Sequence, residues 1–186
     1  MGRHELTHYS VWIDNETLLK YLLSKGANPN SLDESDLLPL DLCSSTSTMK
    51  LLIDHGADVS RVNLLHHAIS WPNNTYSEDT LEFLLKVGVD INACAVYTGD
   101  APPGSRVYAH GLRMTGNGGT ALHWIVRGFV LKGRPSVDRV VRAKWLLDKG
   151  ARVDIKDNSG LTPLDYATDQ SMIGLLNQYK FQDKED

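Results

Sequence analysis

Cysteine and long apolar runs are the most informative shortages of this sequence. Its 186 residues include two cysteines, Cys43 in an apolar segment and Cys94 at the start of a loop. Because these contexts differ, we expect no disulfide and a reducing intracellular location, the cytoplasm or the nucleus. No window approaches 18 uninterrupted apolar residues, and the N-terminal MGRHEL has no apolar signal region. The sequence therefore predicts no membrane segment and no secretion signal.

Basic charge and catalytic motifs are also scarce. Lysine and arginine number 19 against 23 aspartates and glutamates, which gives a net charge of -4. Without a basic excess, nucleic-acid binding is not expected. The nucleophile-elbow spacing GxSxG, the CxxC pair and the phosphate-binding GxxxxGK loop are all missing from the sequence. We therefore predict no catalytic residue, no cofactor and no metal, and we favour a protein that is not an enzyme.

What the sequence does contain is a complete set of helix signals from Trp145 to Ala167, WLLDKGARVDIKDNSGLTPLDYA. Gly150 follows an apolar helix end and can take the left-handed conformation that stops a helix. Gly160 supplies the positive φ of a turn. Thr162 is an N-cap, and Pro163 suits the first helical position. The stretch predicts the end of one helix, a polar turn and the start of another helix.

Both halves of this unit recur along the chain. Helix stops of the form KGAN, HGAD, VGVD and KGAR begin at residues 25, 55, 87 and 149, with apolar residues three, four and seven positions before each glycine. That spacing is helical. The second half recurs at Leu38–Cys43, Leu64–Ala68, Thr120–Ile125 and Thr162–Ala167. Eight half-units in alternating order indicate a repeat array.

In this pattern the chain resembles the ankyrin repeat, which has a period of about 33 residues and a TPLHxA signature. The resemblance covers Leu18 to Tyr179 and implies an all-α solenoid of about five helix-turn-helix repeats with short hairpin fingers and one long finger insertion. We expect a single domain over 1–186, with units at about 1–26, 27–56, 57–88, 89–150 and 151–186. Residues 4–13 are either a degenerate inner helix, with Trp12 packing on the second repeat, or a frayed end.

The fourth unit departs most from the repeat pattern. From Gly88 to Leu122 the chain spans 34 residues, against 14 from Gly150 to Leu164. The excess predicts an insertion at 93–118, in the finger. A second excess, at 128–139, extends either the inner helix or the loop that follows it.

The insertion at 93–118 has the composition of a structured excursion. Val96-Tyr97 and Val107-Tyr108 are strand-like pairs, separated by a turn-rich run at 100–104. Long loops in compact domains are usually functional or disordered. The insertion also contains tyrosine, arginine, histidine and methionine, some of the residue types that recognition surfaces favour. We predict a functional loop, and the alternative is a decorative or disordered one.

Two sets of equivalent residues have structural roles by resemblance to the family. The signature position, where a histidine hydrogen-bonds backbone and stabilises the stack, is held by Asp41, His66, His123 and Asp165. The outer-helix position five residues before each glycine is expected to pack between repeats and is held by Tyr21, Leu51, Phe83 and Trp145.

The resemblance implies a protein–protein interaction module or scaffold that binds its protein partner through the concave inner-helix face and the 93–118 insertion. The alternative is a small-molecule-binding or catalytic site, formed where the insertion folds over the inner helices. Neither nucleic acid nor membrane is an expected partner. The candidate partner- or ligand-binding residues are His67, Trp71, Tyr97, Arg106, Tyr108, His110, Arg113 and Trp124.

Overall fold

The computed structural model describes residues 3–33, 38–43, 45–61, 64–70, 78–95, 106–109, 112–115, 118–128 and 136–182. The α-helices in these ranges are α1 Arg3–Trp12, α2 Glu16–Ser24, α3 Thr46–Asp54, α4 Leu64–Ser70, α5 Glu78–Lys86, α6 Ala121–Arg127, α7 Ser136–Asp148, α8 Pro163–Tyr166 and α9 Gln170–Gln182. Single 3-10 turns lie at Pro39–Leu42 and Val59–Arg61, and the described strands are β1 Arg106–Ala109 and β2 Leu112–Thr115. The predicted all-α class is confirmed, because these strands are four residues each and lie inside the insertion.

The chain divides into two compact units. The first comprises Met1–Ala68 and Asn73–Val89, and the second Ile69–Pro72 and Asp90–Asp186. In the first unit α1 packs on α2 and on the 39–42 turn, and α2 packs on α3. In the second, α6 packs on α7 and α8, and α9 packs on the same two helices. The single domain over 1–186 stays a prediction.

The four predicted helix stops are confirmed. Gly26, Gly56, Gly88 and Gly150 have φ values from +81° to +95°, in the left-handed region that favours glycine. After each glycine, the next N–H donates to the carbonyl four residues before the glycine, at 2.9 to 3.0 Å. These bonds satisfy carbonyls that a helix end would otherwise leave unpaired.

The structure decides between the alternatives for residues 4–13 and for residues 128–139. The helix reading of residues 4–13 is correct, because α1 spans Arg3–Trp12. The excess at 128–139 does not extend the inner helix. Gly128 has a φ of +74° and ends α6 as a left-handed C-cap, and α7 begins only at Ser136. The residues between, 129–135, lie outside the described part of the chain.

Two predictions about aromatic packing are wrong. Trp12 is 65% exposed, because Thr7, Ser10 and Val11 occupy the buried side of α1 and leave Trp12 on its open side. Tyr21 is 59% exposed and has the Lys25 ammonium 5.7 Å from its ring centroid instead of a packed neighbour. Lys149 lies in the same way over Trp145, whereas the ring of Phe83 has Lys50 of the preceding repeat 4.9 Å from its centroid.

Asparagines in two fingers join consecutive repeats. The amide of Asn30 donates to the Gly56 carbonyl at 2.8 Å and accepts from the Asp58 N–H at 2.8 Å. Asn92 does the same with Gly150 and Arg152, at 3.2 and 2.8 Å. Each asparagine follows its own helix-stop glycine by four positions, so the same bidentate link is built twice.

The signature residues cap their own inner helices, as the resemblance implies. In three repeats the side chain accepts a hydrogen bond from the backbone N–H three residues earlier, at Asp41 (3.0 Å), His123 (3.0 Å) and Asp165 (2.7 Å). Because Nδ1 of His123 is the acceptor, its Nε2 carries the proton and donates to the Leu161 carbonyl at 3.2 Å. His123 is thus neutral and links the inner helix to the next finger.

The two aspartates at this position differ in their electrostatic surroundings. Burial, reinforced by the Asp33 carboxylate, raises the pKa of the Asp41 carboxyl from 3.8 to about 6. Asp165 is exposed, and hydrogen bonds from the N–H and hydroxyl of Thr162 hold the pKa of its carboxyl below the usual range. The charged cap is therefore unfavourable at Asp41 and favourable at Asp165.

Asp41→Asn is expected to stabilise the protein near neutral pH. Folded Asp41 keeps its proton up to about pH 6 and the unfolded group loses it near 3.8, so wild-type stability falls as pH rises through this window. Asparagine still accepts the Leu38 N–H without a buried charge. We expect a gain of about 1 to 3 kcal/mol in the unfolding free energy at pH 7 and almost none at about pH 4, measured by urea unfolding.

The matched control is Asp165→Asn. Since the pKa of Asp165 is lowered on folding, its contribution to stability is present above the ordinary pKa and is lost as pH falls. This variant should be less stable than the wild type at pH 7. A lower unfolding free energy for Asp41→Asn than for the wild type at pH 7 would contradict the prediction.

Candidate binding site on the insertion of the fourth repeat

The ends of the insertion meet at its base. The Ala95 N–H donates to the Gly119 carbonyl at 2.9 Å, and both residues are buried. The chain therefore leaves the repeat after residue 95 and returns to the same point at 119. The base of the predicted insertion is thus fixed by a backbone hydrogen bond within the second unit.

Two glycines shape the return of the chain. Gly118 and Gly119 have φ values of +62° and +98°. A Cβ on Gly118 would lie 2.9 Å from the Asn158 side chain, and one on Gly119 would lie 3.0 Å from His123. Both the backbone conformation and the close approach require glycine here. Gly118 thus packs against Asn158 of the next finger, and Gly119 packs against the signature histidine of α6.

Inside the insertion the two strands form an antiparallel hairpin. Residues 106 to 109 pair with 115 to 112 in that order. Val107-Tyr108 is a strand, as predicted, but its partner is β2, and the connecting residues are 110–111 instead of the turn-rich 100–104. The other strand-like pair, Val96-Tyr97, lies outside the described residues.

The hairpin has one polar and one apolar face. Since successive residues of a strand alternate between faces, the register puts the positions of Arg106, Tyr108, Arg113 and Thr115 on one face. The other face holds the positions of Val107, Ala109, Leu112 and Met114. Three of the eight candidate residues, Arg106, Tyr108 and Arg113, are therefore brought together by the strand pairing.

The inner helix next to the insertion is enclosed on all sides. Every residue of α6 from Ala121 to Val126 is 0 to 3% exposed, although an amphipathic helix on a surface would leave a polar face open. Trp124, a candidate binding residue, is 3% exposed. It is a core residue in this structure.

The remaining candidates are not brought together by the described structure. His67 lies in α4. Trp71, Tyr97 and His110 lie outside the described residues. The small-molecule or catalytic alternative stays a prediction.

A buried ion pair that the sequence reasoning missed fixes the next finger to α6. The guanidinium of Arg127 pairs with the Asp157 carboxylate, and their side chains are 7% and 0% exposed. The hydroxyl of Tyr166 donates to the same carboxylate at 2.7 Å, and its ring lies 3.8 Å from the guanidinium carbon. The only sequence signal was that Asp157 opens the DNSG turn.

The Asp157 carboxylate is also bonded to its own turn, through the N–H groups of Ser159 and Leu161 at 2.8 and 3.1 Å. Burial favours a higher pKa for this carboxyl, but the hydrogen bonds and the Arg127 charge more than offset it and hold the pKa below its usual range. Burial has the opposite consequence for the imidazole of His123, whose pKa it lowers. Asp157 is charged and His123 is neutral near pH 7.

The sequence also contains one metal-type motif that was not among the candidate sites. Residues His4 to His8 read HELTH, which fits the HExxH spacing of zinc proteases. His8 is 5% exposed, like the signature residues His66 and His123 at 3% and 0%, and it lies close enough to Asp41 to lower the pKa of that carboxyl. His8 is therefore packed inside the first unit, near the signature residue Asp41. Among the residues whose side chains are described, no three potential ligands form a metal site.

Residues 7–94 match the family model of ankyrin repeats, in three copies. Together with the capped helix pairs described above, this match shows ankyrin repeats over residues 7–94. Ankyrin repeats are generally protein–protein interaction modules. No curated protein matches the chain. Within the described residues, no helix has the length and apolar character needed to cross a membrane.

Gly119→Ala is expected to destabilise the second unit by about 1 to 3 kcal/mol. Alanine at a φ of +98° is strained, and its Cβ would press on His123. The control is Gly174→Ala in α9, where a Cβ meets nothing within 4 Å. That variant should be neutral or gain up to about 1 kcal/mol from helix propensity. Equal unfolding free energies for the two variants in urea would contradict the packing argument.

Asp157→Asn is expected to cost about 3 to 5 kcal/mol, because it leaves the Arg127 guanidinium buried without its anion. The double variant Arg127→Met with Asp157→Asn should be more stable than Asp157→Asn alone, since the unpaired charge is gone. A double-mutant cycle in urea unfolding measures this coupling. If the two substitutions are simply additive, the ion pair does not organise this repeat as described.

Proposed function

We propose that the chain binds a protein partner through the insertion at residues 93–118, next to the inner-helix face that ankyrin repeats use. The observation that carries the proposal is the two-faced hairpin on a fixed base. A hairpin with an apolar and a polar face is suited to lie against the protein with one face and to meet a partner with the other. Arginine and tyrosine are residues enriched at the centres of protein interfaces.

The enclosure of α6 supports the insertion as the binding element of the fourth repeat. In a repeat array the inner helices offer a continuous surface, but α6 has no exposed residue between Ala121 and Val126. A partner that approaches this repeat therefore meets other residues first. In the same unit, the hairpin has arginine and tyrosine positions together on one face.

The proposal can be tested with a deletion that restores the regular repeat. Removing residues 97–116 shortens the Gly88-to-Leu122 spacing from 34 to 14 residues, the spacing between Gly150 and Leu164. Wild type and variant are immobilised, and retained proteins are compared by quantitative mass spectrometry. We expect a defined set of partners to be lost by the variant. Binding of each purified partner is then measured by calorimetry, with at least a tenfold loss expected.

Two further variants keep this test decisive. Tyr108→Ser with Arg113→Ser changes only the polar face, so it reports on the hairpin if the deletion fails to fold. Arg152→Gln with Lys156→Gln removes two exposed charges elsewhere in the second unit and should leave binding unchanged. Full retention of the partners by a folded deletion variant would refute the proposal.

A further inference from the structure

The strand register gives the hairpin a defined arrangement of charge. Tyr108 is directly opposite Arg113, and Arg106 is opposite Thr115. Arg106 and Arg113 are therefore diagonal neighbours on the polar face, at positions about 7 to 8 Å apart. Neither strand contains an acidic residue, although the whole chain has a net charge of -4. The register therefore puts two arginine positions and no acidic position on this face of the hairpin.

Two like charges on one face of a ladder repel each other. The repulsion is relieved when an anion lies between or across them, and arginine binds carboxylates through paired hydrogen bonds. The positions of the two arginines also constrain the ligand. In an extended chain, residues i and i+2 lie on the same face about 6.6 Å apart, close to the separation of the arginine positions.

We infer that the polar face of the hairpin binds an extended acidic segment of the protein partner, with aspartate or glutamate at alternate positions. The inference rests on the proposed function and specifies its partner. Each arginine pairs with one carboxylate, and the intervening residue points away from the hairpin. The two-arginine spacing favours two carboxylates over a single phosphate, which would have to bridge both positions. Nucleic acid is disfavoured by the net charge of -4.

The test uses synthetic peptides and the full chain. A fluorescein-labelled peptide of five Glu-Thr repeats is titrated with the protein, and fluorescence anisotropy gives the Kd. A Gln-Thr peptide removes the charge. A peptide with five contiguous glutamates followed by five threonines keeps the charge and changes the spacing. A Thr-rich peptide with one phosphoserine tests phosphate. All titrations are made at low and at physiological salt.

We expect the Glu-Thr peptide to bind several-fold more tightly than the contiguous peptide, and the Gln-Thr peptide not to bind. Arg106→Gln and Arg113→Gln should each weaken binding of the Glu-Thr peptide by about tenfold, the scale of a charge-assisted hydrogen bond. Binding should weaken as salt rises. The control Arg152→Gln with Lys156→Gln, equal in charge to the double arginine variant, should bind like the wild type.

Three results would overturn the inference: equal binding of the Gln-Thr peptide, equal binding by the double arginine variant, or tighter binding of the phosphoserine peptide. The acidic finger Asp33-Glu34-Ser35-Asp36 of a second copy is a competing occupant. Self-association of the wild type in sedimentation, lost on neutralising that finger, would also overturn it. If no acidic peptide binds but the 97–116 deletion still loses its partners, the inference fails and the proposed function stands.

Discussion

The insertion-bearing repeat depends on one buried carboxylate. Asp157 accepts hydrogen bonds from Arg127, Tyr166 and the backbone of its own turn, so a single charge joins the ends of α6 and α8 to the finger that precedes α8. A buried ion pair is tolerated only when the remaining lone pairs are also satisfied. Here the N–H groups of Ser159 and Leu161 in the turn donate to the carboxylate. The ion pair therefore depends on the conformation of the finger.

This anchoring explains how the fourth repeat accommodates a long insertion. The entropy cost of closing a loop grows only slowly with its length. Extra residues in a finger therefore reduce the stability only a little if the ends of the loop stay together. The ends are held by the bond from Ala95 to Gly119. Gly119 lies against His123, whose ring is bonded on both sides. The insertion therefore begins and ends at a base that contacts within the repeat already hold in place.

Much of the repeat architecture could be predicted from the sequence, because its signals are local. A helix stop needs a glycine at a fixed distance from the apolar residues of its helix. A signature side chain accepts its hydrogen bond from the backbone N–H only three residues earlier. The spacing from Gly88 to Leu122 also located the insertion. The missed features depend on residues distant in sequence. Arg127 and Asp157 are 30 residues apart, and the asparagine link from Asn92 reaches Arg152.

Other errors came from patterns that fit more than one structure. Val107-Tyr108 has strand character whether its partner lies before or after it, and only the register decided for β2. In the helix interpretation of residues 4–13 Trp12 was placed against the second repeat, yet Thr7, Ser10 and Val11 occupy the packed side of α1.

The contrast between base and hairpin bears on how such a site would work. An isolated two-stranded hairpin is marginally stable in water, and this one has only four residues in each strand. Its order must therefore come from contacts beyond its own ladder. The fixed base reduces the freedom of the hairpin. In the proposed complex, a partner that pairs with the polar face would add further contacts, so that binding and hairpin order are coupled.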